Sequence, residues 1–187
     1  ALFGNLAPGG AILKRSAADP TLFEATGRAV VFTSLEDLAE RIDAEDLDVK
    51  ADDILVLQNA GPKSPSGMPE AGYIPIPKKL AQAGVKDMIR ISDCRMSGTA
   101  FGTIVLHVTP EAAVGGAIGL VKNGDEIRLS IANKTLELLV DNAELNRRRQ
   151  ANPPQPATPT RGYAKLYADH VTQADQGADF DFLMAQD

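Results

Sequence analysis

The residues of this chain best suited to chemistry lie in two short stretches. The first, Gly61-Pro62-Lys63-Ser64-Pro65-Ser66-Gly67-Met68-Pro69-Glu70, ends in a carboxylate carried by a loop rich in proline and glycine. Such a loop loses little entropy on ordering, so Glu70 suits the role of a hard-cation ligand. The same composition also makes an ordinary surface turn with a solvated Glu, and spacing alone leaves both readings open. The second stretch, Ser92-Asp93-Cys94-Arg95-Met96-Ser97-Gly98-Thr99, combines hydroxyls, a flanking glycine and a nearby cation. Ser97 acts as a base only where a metal or neighbouring positive charge depresses its pKa. No His or Lys stands beside it in sequence, which weakens a Ser-His-Asp hydrolase; a β-turn closed by the hydroxyl is the plain alternative.

The other polar candidates read as structure. Cys94 is the only cysteine, so an intramolecular disulfide is excluded, as is a zinc or cluster site built from this chain's thiols alone. A small buried cysteine is favoured over a reactive thiol. His107 falls inside the apolar run Thr103–Val108 and reads as a satisfied core or interface histidine; His170, the only other one, carries no signal. Metal chemistry here therefore leans on carboxylates or on another part of the protein. Arg147-Arg148-Arg149 reads as a solvated face near a helix end, where cations favour the macrodipole.

Both loops need strands to carry them. Asp53–Gln58 (DILVLQ) is a continuous apolar run of the doubly buried kind and leads into the first loop; Met88–Ser92 leads into the second. Further strands are predicted at Arg28–Thr33, Thr103–Val108, Gly119–Val121, Glu126–Ala132 and Leu136–Val140, with an Asn-Gly hairpin signal at Lys122–Asp125. Residues 1–27 read as an irregular lead-in. Ser34 caps an amphipathic helix starting at Leu35, Lys78–Ala83 is a short helix ended by Gly84, and Asp141 caps a helix over Ala143–Gln150. Residues 151–160 (ANPPQPATPT) are a semi-rigid Pro-rich connector before a helix over Gly162–Ala174, and the tail bearing Phe180 and Phe182 is expected to dock on something. The expected architecture is a β-rich α/β domain over 1–150, with 151–187 as connector, helix and tail packing on that same domain.

Bulk properties narrow the function classes. The 187 residues suit one domain, and 44% hydrophobic with 24% charged residues is ordinary for a globular chain. A net charge of −6 argues against nucleic acid or an anionic membrane as a partner. No apolar run reaches the ~18 residues of a spanning helix. The cysteine usage fits a reducing, cytoplasmic setting. The chain opens on Ala1 in mid-phrase, so a fragment or processed piece is expected.

The pair GPKSPSGMPE (61–70) and SDCRMSGTAFGTIVLHVTPEA (92–112), with GNLAPGGAILK (4–14) and AVGGAIGLVKNGDEIRLSI (113–131), resembles the C-terminal half of the dihydroxy-acid and phosphogluconate dehydratase family. RMSGTAFGT and the ending GYAKLYADHVTQADQGADFDFL (162–183) look closest to its sugar-acid branch, such as arabinonate or xylonate dehydratases. The resemblance implies a swivelling β/β/α domain with a β-barrel-like core. It implies an iron–sulfur- and Mg²⁺-dependent hydro-lyase that turns a 2,3-dihydroxy acid into a 2-keto acid. Glu70 then matches a Mg²⁺ ligand, Ser97 the base at C2, and Thr99 a hydroxyl that joins Ser97 in holding substrate, while Lys63 and Arg95 position the loop or an anion. The cluster, a [2Fe-2S] group by this resemblance, would be held by cysteines of an N-terminal domain, leaving this piece silent alone and the full-length enzyme a homo-oligomer. A non-catalytic binding or swivelling module is the alternative. Ser64 and Ser66 depart from the family's Gly and Pro, and Cys94 stands where relatives carry Gly or Ala. The composite reading requires Glu70 and Ser97 to share one cleft.

Overall fold

The structure, a computed structural model, describes residues 1–184. Seven strands form one curled sheet: β1 (Gly10–Leu13), β2 (Glu24–Phe32), β3 (Ile54–Leu57), β4 (Arg90–Ser92), β5 (Ile104–Thr109), β6 (Glu126–Ser130) and β7 (Thr135–Leu138). Their order is β1-β5-β4-β3-β2-β6-β7. The centre, β2 to β5, is parallel, while β1, β6 and β7 are antiparallel to their neighbours. Strand β2 serves two partners: Glu24–Arg28 pair with β6, and Ala29–Phe32 with β3.

The sheet curls until its two edges meet. Leu2 bridges to Ala11 of β1 and Phe3 bridges to Thr135 of β7, so the first residues stitch one edge to the other. Asn5 completes the seam: its amide accepts from the Leu138 N–H at 2.7 Å and donates to the Leu138 carbonyl at 2.8 Å, as a paired strand would. This satisfies backbone groups that an open edge leaves free. The lead-in expected to be irregular therefore contains β1 and the closing segment. Its Gly/Ala-rich composition gave no period to read.

Alternation along the strands builds two cores. Ala29, Val31, Ile54, Val56, Ile91, Val105, Ile127, Leu129, Leu136 and Leu138 face the inside of the half-barrel. Val30, Phe32, Leu55, Leu57, Ile104 and Leu106 point outwards, beneath helix α1 (Leu35–Arg41) and a short helix α2 (Lys78–Gln82). The continuous apolar strand Ile54–Leu57 is buried on both faces as its composition predicts. The Ser34 hydroxyl caps α1 by accepting from the Asp37 N–H at 3.2 Å. Asp141 caps α3 (Asn142–Ala151) by accepting from Glu144.

Three further expectations need correction. Gly119–Val121 is not a strand: Ala117–Leu120 form a 3-10 turn whose Ile118 and Leu120 plug the half-barrel core. Lys122–Asp125 does turn, but it joins that plug to β6; the hairpin is the one between β6 and β7. Arg148 is not part of a solvated face. It is buried, bonds the Leu120 carbonyl, and pairs with Asp125 and Glu144. Among the described residues, no helix is long and apolar enough to cross a membrane.

Candidate active site

Because β3, β4 and β5 are parallel, their C-terminal ends deliver three loops to one edge: 58–77, 93–103 and 110–116. Such edges are where open α/β sheets build sites. Buried Arg90 ties two of these loops together. Its guanidinium donates to the Ile74 carbonyl of the first loop at 3.1 Å, and to Asp87 and the Phe101 carbonyl beside the second. Gly102 has φ +106, and a Cβ there would run into that guanidinium, so glycine is required.

The two sequence-defined stretches come together. The Arg95 N–H donates to the Pro69 carbonyl at 3.4 Å, and its guanidinium lies 3.5 Å from the Glu70 carboxylate. Both side chains are about half exposed, so this pair presents charge to solvent without locking either group. Two residues on, the Ser97 hydroxyl lies 3.1 Å from that of Thr99, and the Thr99 N–H donates to the Ser97 hydroxyl at 3.4 Å. The Ala100 N–H donates to the Ser97 carbonyl, making a tight turn. Lys14, just past β1, donates to the Gly98 carbonyl at 2.9 Å. Among the described residues no His or Lys bonds the Ser97 hydroxyl, so a Ser-His-Asp arrangement has no base.

The remaining polar residues serve the backbone. His107, at φ +56 within β5, accepts the Met96 N–H on Nε2 at 3.0 Å. Burial holds its pKa below the usual value, which keeps that nitrogen an acceptor. His170 lies 2.9 Å from Asp181. Cys94 is fully buried, and burial pushes its thiol up to about 12. Ser64 and Ser66 knit the first loop internally: Ser64 donates to the Gly61 carbonyl at 2.7 Å and lies 2.9 Å from Ser66, which donates to the Asn59 carbonyl. Lys63 places its ammonium 3.3 Å from the Ala168 carbonyl of helix α4 (Gly162–His170).

Two buried carboxylates beneath the loops went unassigned in the sequence. Asp93 accepts from the Ala60 and Ala112 N–H groups, one on each oxygen. Burial raises its pKa to about 6 against those two hydrogen bonds, with nearby Glu111 adding to the rise. Glu111 accepts from the Lys63 N–H and from the Gln173 amide; burial raises its pKa too. The available signal was their place at strand ends, inside motifs already noticed for other residues.

The polar groups these loops present are the Glu70 carboxylate and the paired hydroxyls of Ser97 and Thr99, all hard oxygen ligands of the kind Mg²⁺ takes. Among the described residues no three His, Cys, Asp or Glu side chains group to hold a metal ion. The fit is thus that of a contributed ligand and not of a complete cage. An iron–sulfur cluster does not fit here. It needs several thiolates, and the single Cys94 is buried with its proton held tightly.

The family model for the dihydroxy-acid/6-phosphogluconate dehydratase C-terminal domain matches residues 1–178. A 6-deoxy-6-sulfo-D-gluconate dehydratase of Pseudomonas putida is 54% identical over 98% of this chain and 32% of its own length. An L-arabinonate dehydratase of Rhizobium leguminosarum is 51% identical over 97% of this chain and 31% of its own. A dihydroxy-acid dehydratase of Syntrophobacter fumaroxidans is 43% identical over 95% and 31% respectively. The chain spans about a third of the length of these curated relatives.

Proposed function

The chain belongs to the dihydroxy-acid/6-phosphogluconate dehydratase family, as its C-terminal domain, and from that premise we propose that it supplies half the active site of a hydro-lyase acting on 2,3-dihydroxy sugar acids. The observation that carries the reading is the meeting of Glu70 with the Arg95–Thr99 turn at the C-terminal edge of the parallel strands. The sugar-acid branch is favoured because two relatives above 50% identity bear sugar-acid dehydratase names, while the dihydroxy-acid relative stands at 43%.

In this reading Glu70 would help hold a Mg²⁺ ion together with residues in the rest of the enzyme. Bound Mg²⁺ supplies a fixed positive charge that acidifies the substrate's C2 proton and the hydroxyls around it. Ser97, as alkoxide, takes the C2 proton onto Oγ. The C–H electron pair becomes the C2=C3 bond as the 3-hydroxyl leaves, and the resulting enol becomes the 2-keto acid. Thr99 keeps the Ser97 hydroxyl oriented and offers a second donor to the substrate. The acceptor of the departing hydroxyl lies outside this chain's residues, in an N-terminal cluster-binding domain. The working enzyme is a cytoplasmic homo-oligomer in this proposal; exposed Tyr163, Phe182 and Leu183 support contact with further protein.

The test is Ser97→Ala in the full-length enzyme, assayed with L-arabinonate, D-xylonate, 6-deoxy-6-sulfo-gluconate and 2,3-dihydroxy-isovalerate. Loss of a positioned base lowers kcat by roughly 10²–10⁴-fold. Undiminished dehydration by the variant sinks the base assignment, and a preference for the branched-chain acid sinks the sugar-acid assignment.

A further inference from the structure

The loop that carries Glu70 is gripped from two sides, and the two grips share one buried carboxylate. From beneath, Asp93 accepts the Ala60 N–H at the loop's entry, 2.9 Å away. Glu111, 1% exposed, accepts the Lys63 N–H on both oxygens at 2.8 and 3.0 Å. A Cβ at Gly61 would overlap the Glu111 carboxylate, so the glycine admits this close approach. From outside, the C-terminal segment closes over the same loop. The Ala157 N–H donates to the Lys63 carbonyl at 2.8 Å, the Lys63 ammonium donates to the Ala168 carbonyl, and the Tyr167 hydroxyl donates to the Gly67 carbonyl at 3.4 Å.

Gln173 joins the two grips. Its amide oxygen accepts the Glu111 N–H at 3.0 Å and its Nε2 donates to Glu111 Oε1 at 2.7 Å, closing a reciprocal ring. Gln173 is itself held by a small closed turn: Val171 is buried and bridges to Phe180, the Thr172 N–H donates to the Asp179 carbonyl, and the Phe180 ring packs on Tyr167. The charged and titratable groups facing Glu111 are Asp93, Lys63 and Tyr167.

We propose that Gln173 and Glu111 are positioning residues that lock the Glu70 loop, making the C-terminal segment a working part of the site. The proposal rests on the reading of Glu70 as a metal ligand. Gln173 touches neither metal nor substrate; it acts through Glu111 and Lys63 on the loop.

The experiment uses the full-length enzyme with Gln173→Leu, which keeps bulk and removes both hydrogen bonds, and Gln173→Asn, which keeps the amide and loses the reach. Amide exchange over residues 61–70 is measured without metal, alongside the Mg²⁺ concentration for half-maximal activity and the thermal midpoint. A hydrogen bond of about 1.4 kcal/mol corresponds to roughly tenfold in an opening equilibrium. The expected result is roughly tenfold faster exchange concentrated in that loop and a severalfold higher Mg²⁺ requirement, with the substrate KM at saturating Mg²⁺ held and the thermal midpoint lowered by no more than the few degrees that two lost hydrogen bonds cost. Unchanged exchange in both variants overturns the lock, and faster exchange with unchanged Mg²⁺ dependence overturns its role in the site. A Glu70→Gln enzyme with unaltered Mg²⁺ dependence overturns the metal-ligand reading alone, because the exchange measurement reads the lock without metal.

Discussion

At the scale of single residues, charge and burial separate the groups that can react from those that cannot. Glu70 is half exposed beside Arg95, a solvated carboxylate free to exchange its partner for a cation. Glu70→Gln in the full-length enzyme should raise the Mg²⁺ needed for half-maximal activity by at least tenfold, the loss of about one charge-assisted contact, with little effect on folding. Cys94 is the opposite case. With its thiol pushed up to about 12, only about one molecule in 10⁴ carries the thiolate at pH 8. A maleimide reagent should leave the folded chain unlabelled and label it fully in denaturant; labelling of the folded chain would show that the side chain is not enclosed. These residues were legible in part. The types and spacing at positions 70, 97 and 99 suit an ordinary turn as well as a site, and their roles come from the family resemblance; Asp93 and Glu111 gave no signal, since a carboxylate that accepts from backbone N–H groups has the same letter as a solvated one.

At the scale of elements, the strand ends dictate what the loops can do, and their carboxylates make stability depend on pH. Asp93 has a folded pKa of about 6, above its unfolded value near 3.8. Its proton is therefore held more tightly in the folded state, and the stability this gives is full below about pH 3.8 and lost as pH rises through about 6. Glu111 is shifted the same way. Asp37 is shifted down, against its partial burial, by the Thr33 N–H and then Arg41, and Glu144 by Arg147 and Arg148, so their contributions vanish only as pH falls below the ordinary carboxylate range. The denaturant midpoint should thus fall between pH 4.5 and 6.5, with a flatter slope in Asp93→Asn; a midpoint rising through that window would contradict the assignment. The helix caps Ser34 and Asp141 were readable because capping is a local event. The 3-10 plug at Ala117–Leu120 was not, because a short apolar run has no period long enough to distinguish strand from turn. Strand order was equally hidden: nothing local says that β3, β4 and β5 lie side by side, and that adjacency is what brings the loops carrying Glu70 and Ser97 to one edge.

At the scale of the whole molecule, the seam between the first residues and β7 governs how the chain reaches its folded state. Asn5 and Leu138, which close it, are 133 positions apart. Bringing such distant segments together costs loop-closure entropy before any contact offsets it, and folding slows as contacts become less local. The parallel centre, β2 with α1 and β3, is made from neighbours in the chain and should assemble first, leaving the seam to zip last. Asn5→Ala removes two part-buried hydrogen bonds and should cost about 1–3 kcal/mol. Stopped-flow traces should show nearly all of that loss as faster unfolding, with the refolding rate kept, because the seam forms after the transition state. A matching fall in the refolding rate would place closure inside the nucleus instead. During synthesis the sheet would then stay curled but unsealed until Leu138 becomes available, with the segment around Leu2–Asn5 waiting for the strand that completes it.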